Sequence, residues 1–155
     1  MPSLIAYRKV SDAITTHQLK LPTPEKHGTQ TGQELATLED GRTIVALFDG
    51  QQLPTEQPAP IKDSIEVLAL PLPAELNEAI RAASPHAHLI SRRVQDRIRA
   101  KYSAEEELKL NRIGTHHAMG LSKASAEDLQ AIKDFGAYVE QCRAWGRAER
   151  AKLGL

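Results

Sequence analysis

Pro73 divides the chain by the spacing of its apolar positions. Before it, short apolar runs are cut by turn residues. The segment "ELATLEDGRTIVALFDG" reads as a β-hairpin: Leu38 precedes the pair Asp40-Gly41, and Thr43-Ile44-Val45 follows it. Asp-Gly suits a two-residue turn in which both central residues take positive φ. The β-branched run then favours a pleated strand. Asp49-Gly50 predicts a second turn that sends Gln51–Leu53 back, and the prolines at 54, 58 and 60 end regular pairing. Upstream, residues 11–21 predict a further strand carrying Ile14, Leu19 and Leu21, and residues 22–32 a loop. The apolar stretch 65–73, bounded by Pro71 and Pro73, reads as a last strand or an extended linker.

After Pro73 the period becomes helical. Leu76, Ala79, Ile80 and Ala83 fall on one face of a first helix. Ser84-Pro85 stops it and starts the next, with Ser84 as cap and Pro85 in the first helical position. That second helix carries Ile90, Val94, Ile98 and Tyr102 four residues apart, with Arg92, Arg93, Arg97 and Arg99 on its flanks and far side. Ser103-Ala-Glu-Glu106 predicts a capping box, and Glu105–Glu107 suit the positive end of the helix dipole. This third helix packs Leu108 and Ile113 and stops at Gly114, leaving 115–123 as loop. A last helix runs from near Ser125 to about Leu153, with Ile132, Phe135, Val139, Cys142 and Gly146 as its seam. At about 1.5 Å per residue it is roughly 40 Å long. The pattern predicts an α+β protein: a small antiparallel β module over 1–70 and four helices over 73–155, with no internal repeat.

Composition narrows the classes. The chain has 155 residues, and aromatics are only 4%, so an aliphatic core is expected. Basic and acidic residues number 20 each, which leaves no whole-protein field to steer nucleic acid or an acidic membrane. Residues 1–72 hold six basic and nine acidic side chains, and 73–155 hold fourteen and eleven. The opposite signs suit docking of the halves or head-to-tail assembly of copies, and are also within what chance gives. The single cysteine, Cys142, rules out an intrachain disulfide. No stretch approaches the roughly 20 apolar residues of a membrane helix, so a protein folded in a cytoplasm is expected.

The candidate chemistry is sparse. "DGRTIVALFDGQ" puts apolar residues where a calcium loop needs oxygen ligands, and it lacks the glycines and Lys-Ser/Thr of a phosphate cradle. His86, His88, His116 and His117 are four imidazoles, but residues two apart diverge on a helix and no carboxylate stands at a matching spacing. Neither a metal nor a cofactor is expected. Cys142 lies in an apolar seam without a local base, so no nucleophile is assigned and no catalytic residue is named. The basic run 92–101 is followed by three glutamates, which blunt its pull on phosphate. Near the C-terminus, Trp145 stands among Arg143, Arg147, Arg150 and Lys152. A large aromatic ringed by arginines has the composition of an interface hot spot. The competing reading folds Trp145 back on its own domain.

Three segments together, "DGRTIVALFDGQQLPTEQP", "IRAKYSAEEELKL" and "YVEQCRAWGRAERAKLGL", resemble small proteins encoded among the tail and baseplate genes of tailed bacteriophages. The family pattern holds no catalytic set. The resemblance implies a virion component made in the host cytoplasm, or a factor assisting tail-fibre assembly. The leading expectation is a non-enzymatic structural or adaptor protein whose partners are other tail, baseplate or tail-fibre proteins, or copies of itself. It would bind through β edges and the C-terminal helix, with Trp145, Arg143, Arg147, Tyr138, Arg92 and Arg93 as partner-binding residues. The alternatives are a tail-fibre chaperone that leaves the particle, and a nucleic-acid-binding regulator using Arg92, Arg93, Arg97 and Arg99. A metal-dependent enzyme is the weakest reading.

Overall fold

A computed structural model describes residues 2–24, 29–48 and 50–155. The elements in chain order are β1 (Ser3–Arg8), β2 (Val10–Ser11), β3 (Thr16–His17), β4 (Gly32–Thr37), β5 (Arg42–Leu47), α1 (Ala59–Lys62), β6 (Glu66–Leu68), α2 (Ala74–Ala83), α3 (Pro85–Lys101), α4 (Ala104–Ala118) and α5 (Ala126–Ala151). An antiparallel sheet thus precedes a run of helices that ends in a long one, the α+β order expected from the change of period. The chain forms two compact units: one holds residues up to Leu89 together with Glu149–Leu155, the other Ile90–Ala148.

The first unit is built on a sheet of order β4-β5-β1-β6. Strand β1 pairs antiparallel with β5 over Ser3–Arg8 and with β6 over Leu4–Ala6. Leu4, Ile5, Ala6 and Tyr7 are buried in succession, so both faces of β1 are covered. Ile5 and Tyr7 meet Val45, Leu47, Leu19 and Ile61 on one face. Burial pushes the Tyr7 phenol above its ordinary pKa. On the other face Leu4 lies against Gly154, and Leu153 beside that glycine is also buried.

The hairpin forms where expected but with a different turn. Leu38 N–H donates to the Arg42 carbonyl and Gly41 N–H to that of Leu38, so Glu39-Asp40-Gly41 is a three-residue loop. Only Gly41 has positive φ, at 81°. Asp40 stays out of the left-handed region because its carboxylate is used otherwise, accepting from the Arg42 N–H at 2.9 Å and from Arg42 Nε at 2.6 Å. This is the turn-plus-bulge form of a hairpin rather than the two-residue one. Of the second pair, Asp49 lies outside the described residues; Gly50 has φ 79°, Gln51 N–H donates to the Phe48 carbonyl, and Gln51–Leu53 make no strand.

Two further segments differ from expectation, and a third forms as its strand reading had it. Residues 11–21 do not add a strand to the sheet. Asp12 Oδ1 accepts from the Ile14 and Thr15 amides at 2.8 and 2.7 Å and folds Val10–His17 into a separate two-strand ribbon. Ile14 sits at its tip, 95% exposed, and only Leu19 of the three apolar positions is buried. Pro58 is the N-cap of the short α1 and Pro60 lies in its first turn, instead of only ending pairing, because a first helical turn has no use for the missing amide. The stretch 65–73 supplies β6 and then leaves the sheet through a cis Leu70-Pro71 bond.

In α2 the buried face narrows to Ile80, while Ala79 and Ala83 are exposed. Ser84 caps α3 as expected: its Oγ accepts from Ala87 N–H at 3.4 Å, and the residue is fully buried. In the second unit Val94 and Ile98 of α3 pack with Cys142 of α5, flanked by Phe135, Tyr138, Val139 and Trp145. The Ser103 capping box forms in both directions, at 2.7 and 3.2 Å. Helix α4 does not stop at Gly114. It continues through His116 and His117 to Ala118 and closes on Gly120, whose φ is 70°. Leu108, expected in the packing, is 70% exposed. Gly114 instead marks where α4 approaches Ile132, whose Cδ1 would lie 3.6 Å from an added Cβ.

Candidate functional site

The second unit concentrates most of the sequence's aromatic side chains on the seam between α3 and α5. Trp145 is half-buried, and the Arg97 guanidinium lies over its ring at 3.8 Å from the centroid. One turn along α3, Lys101 Nζ sits 4.4 Å from the Tyr138 ring centroid and 5.4 Å from that of Tyr102. The Tyr102 ring meets Phe135 edge-on at 5.1 Å and Tyr138 at 5.9 Å. Tyr138 Oη donates to the Arg97 backbone carbonyl at 3.1 Å, tying α5 to α3. The pattern follows from spacing. Arg97 and Lys101 are four apart on α3, and Tyr138 and Trp145 are seven apart on α5, so each cation finds a ring.

A groove of about 400 Å³ opens here, lined by Arg97, Tyr138, Gln141, Cys142 and Trp145. Partial desolvation, with the Cys142 thiol beside it, pushes the Tyr138 phenol above its usual pKa. Cys142 itself is buried, in the role of a small apolar residue. No ion pair to Arg92, Arg93, Arg97, Arg99 or Lys101 forms among the described residues. Glu140 on α5 is held by Arg147, whose guanidinium lowers its pKa.

The structure thus brings Trp145 and Tyr138 together, with Arg97 and Lys101 as their direct neighbours. Arg92 and Arg93 lie exposed on the preceding turns of α3. Arg143 is exposed on α5, and Arg147 is committed to Glu140. Trp145 packs on its own unit and also lines the open groove. In the sequence Lys101 is only the last member of the basic run 92–101, because its partner Tyr138 is 37 residues away. The signal was its place four residues after Arg97.

Three of the four candidate histidines have separate local duties. A His86 ring nitrogen bonds Gln33 Nε2 at 2.8 Å, His88 Nε2 bonds the Ala82 carbonyl at 2.7 Å, and His117 Nδ1 accepts from Ala124 N–H at 3.2 Å. Among the described residues no three or more His, Cys, Asp or Glu side chains gather where they could hold a metal ion. No described helix is long and apolar enough to cross a membrane.

The first unit offers a different kind of surface. Strand β6 ends the sheet and has no strand partner on its outer side among the described residues. Val67 on it is 67% exposed, and Leu70 just beyond is 39% exposed. A further cavity of about 380 Å³ is lined by Leu70, Pro71, Leu72 and Leu155, and by Asn77, whose Oδ1 is buried without a hydrogen bond among the described residues. The larger hollow between the hairpin loop and α2, about 680 Å³, is bordered by Asp40 and Arg42, which satisfy each other, and by Glu39 and Glu75. Comparison with protein-family models, with curated proteins and with solved structures gave no match.

Proposed function

We propose that this chain is a non-enzymatic adaptor that docks other proteins, and that its setting is the tail or baseplate of a tailed bacteriophage. The observation that carries the docking role is the outer edge of β6. A strand whose outer edge has no strand partner among the described residues, bearing an exposed valine and followed by an exposed leucine, is a ready template for a strand from another chain. Soluble proteins usually blunt such an edge with a charge, a proline or a bulge; here Glu66 stands at the start of β6 and Pro71 follows Leu70. The setting rests on the three segments that resemble tail-region proteins.

Two measurements test the reading. Mass spectrometry of purified virions should find the chain in the particle. Its absence there, with tail-fibre solubility depending on co-expression, would shift the role to assembly chaperone. For the docking role, Val67→Lys should abolish co-purification of the partner. Because Val67 is exposed, it should leave the chain's own stability within about 0.5 kcal/mol. Undiminished capture by the lysine variant would remove β6 as the docking edge.

A further inference from the structure

The α3/α5 seam carries cations that are already ordered and not yet used. The Arg97 guanidinium lies over the Trp145 ring, 3.8 Å from its centroid, and Lys101 lies over Tyr138. Stacking removes much of the rotamer freedom that a long cationic side chain otherwise loses on binding. A guanidinium stacked by its face keeps its N–H donors in the plane of its edge, where they suit a carboxylate bidentately. Neither Arg97 nor Lys101 has a carboxylate partner among the described residues. Glu140 on α5 is occupied by Arg147, and Asp96 of α3 is exposed beside Arg97 in sequence without a described ion pair. Arg93 extends the row by one turn, so Arg93, Arg97 and Lys101 form a stripe at four-residue intervals beside the groove of about 400 Å³.

We infer that this stripe binds an acidic helical segment of a partner protein, with carboxylates four residues apart matching Arg93, Arg97 and Lys101. Neighbours four apart on a helix stand about 6 Å from one another, so two helices of opposite charge laid side by side bring their charges into register. The apolar side of the partner helix would meet Trp145 and the groove floor at Cys142. Single-stranded nucleic acid fits less well. Bases need open aromatic faces, and the cations already cover faces of Trp145 and Tyr138. The chain's net charge of zero also provides no long-range pull on a polyanion.

The inference rests on the docking reading above but uses a different surface, so the two fail separately: Val67→Lys tests the edge strand and leaves this stripe intact. The experiment uses the full chain and a fluorescent helical peptide with three glutamates at four-residue intervals. A glutamine version of the peptide and a single-stranded oligonucleotide of equal charge serve as comparisons. The glutamate peptide should bind at least tenfold more tightly than the glutamine peptide, and its affinity should fall as salt rises. Arg97→Gln with Lys101→Gln should weaken it at least tenfold while the circular dichroism spectrum stays unchanged. Arg97→Lys should weaken it less, because charge remains and only the planar fork is lost. Arg112→Gln on α4 should bind like the parent. Equal affinity for the two peptides, no binding of either, unchanged binding by the double variant, or tighter binding of the oligonucleotide would each overturn the inference.

Discussion

Most of the polar side chains that the structure positions closely hold local turns and helix starts. Asp12 accepts from the Ile14 and Thr15 amides, Asp40 from the Arg42 amide, and Glu106 from the Ser103 amide; Asp128 is held by Ser125. These donors favour the charged form, so each carboxyl sits below its ordinary pKa. A carboxyl depressed on folding gives stability that is present above its unfolded pKa and lost as pH falls through the folded one. The thermal midpoint should therefore decline once pH drops below 4.5, the ordinary value for Glu106, and continue to fall below 3.8, that of the aspartates. Glu106→Gln should show a smaller acid loss, which a melting series across pH checks directly. Ser103→Ala removes one arm of the capping box and should cost about 1 kcal/mol in denaturant unfolding. This capping box was legible beforehand because all its members lie within four residues. The Asx turn at Asp12 is equally local, but the apolar spacing of Ile14, Leu19 and Leu21 suggested a strand, and side-chain capture of two amides overrode it.

At the scale of elements, a glycine's meaning depends on what faces it. Gly114 suggested a helix end, since glycine favours that role. In the structure it is a point of close approach inside α4, with Ile132 at contact distance. The actual stop, Gly120, has the positive φ that a C-terminal cap requires. No sequence rule separates the two, because the difference lies in a helix 18 residues further on. The prolines around α1 misled in the same way: a proline that breaks a strand also starts a helix. Gly136 provides a clean contrast. It lies in the interior of α5, exposed, with nothing within 4 Å of an added Cβ. Gly136→Ala should raise stability by about 0.5–1 kcal/mol through helix propensity and a less flexible unfolded chain. Denaturation midpoints of the two proteins test this, and a loss of stability would reveal a neighbour for that position. The edges and stacks proposed for docking were only half legible. Trp145 and Tyr138 stood out by type, whereas the cations that order them come from a helix some forty residues earlier.

Taken whole, the chain closes its first unit with residues that its sequence order puts last. Glu149–Leu155 belong with the sheet, although 59 residues of the other unit separate them from Leu89. The helical period of α5 predicted its length well but gave no sign of this return, because the four residues after the helix carry too little pattern to show where they pack. The contact is specific. Leu153 is 8% exposed, and Gly154 takes φ 79°, with an added Cβ only 3.2 Å from Leu4 Cγ. Leu4 is fully buried at the centre of the sheet, paired with Ala46 on one side and Leu68 on the other. Leu153→Ala should therefore cost about 2–4 kcal/mol, the usual loss for a buried leucine whose site collapses only in part. The loss should register as faster amide exchange in β1 and β6, with the Val94–Cys142 core of the second unit keeping its protection. Gly154→Ala adds a side chain where both the backbone angle and Leu4 oppose it, and should fall in the same direction by about 1 kcal/mol or more. If both variants exchange in β1 at the parent's rate, the C-terminal turn contributes nothing to holding the sheet.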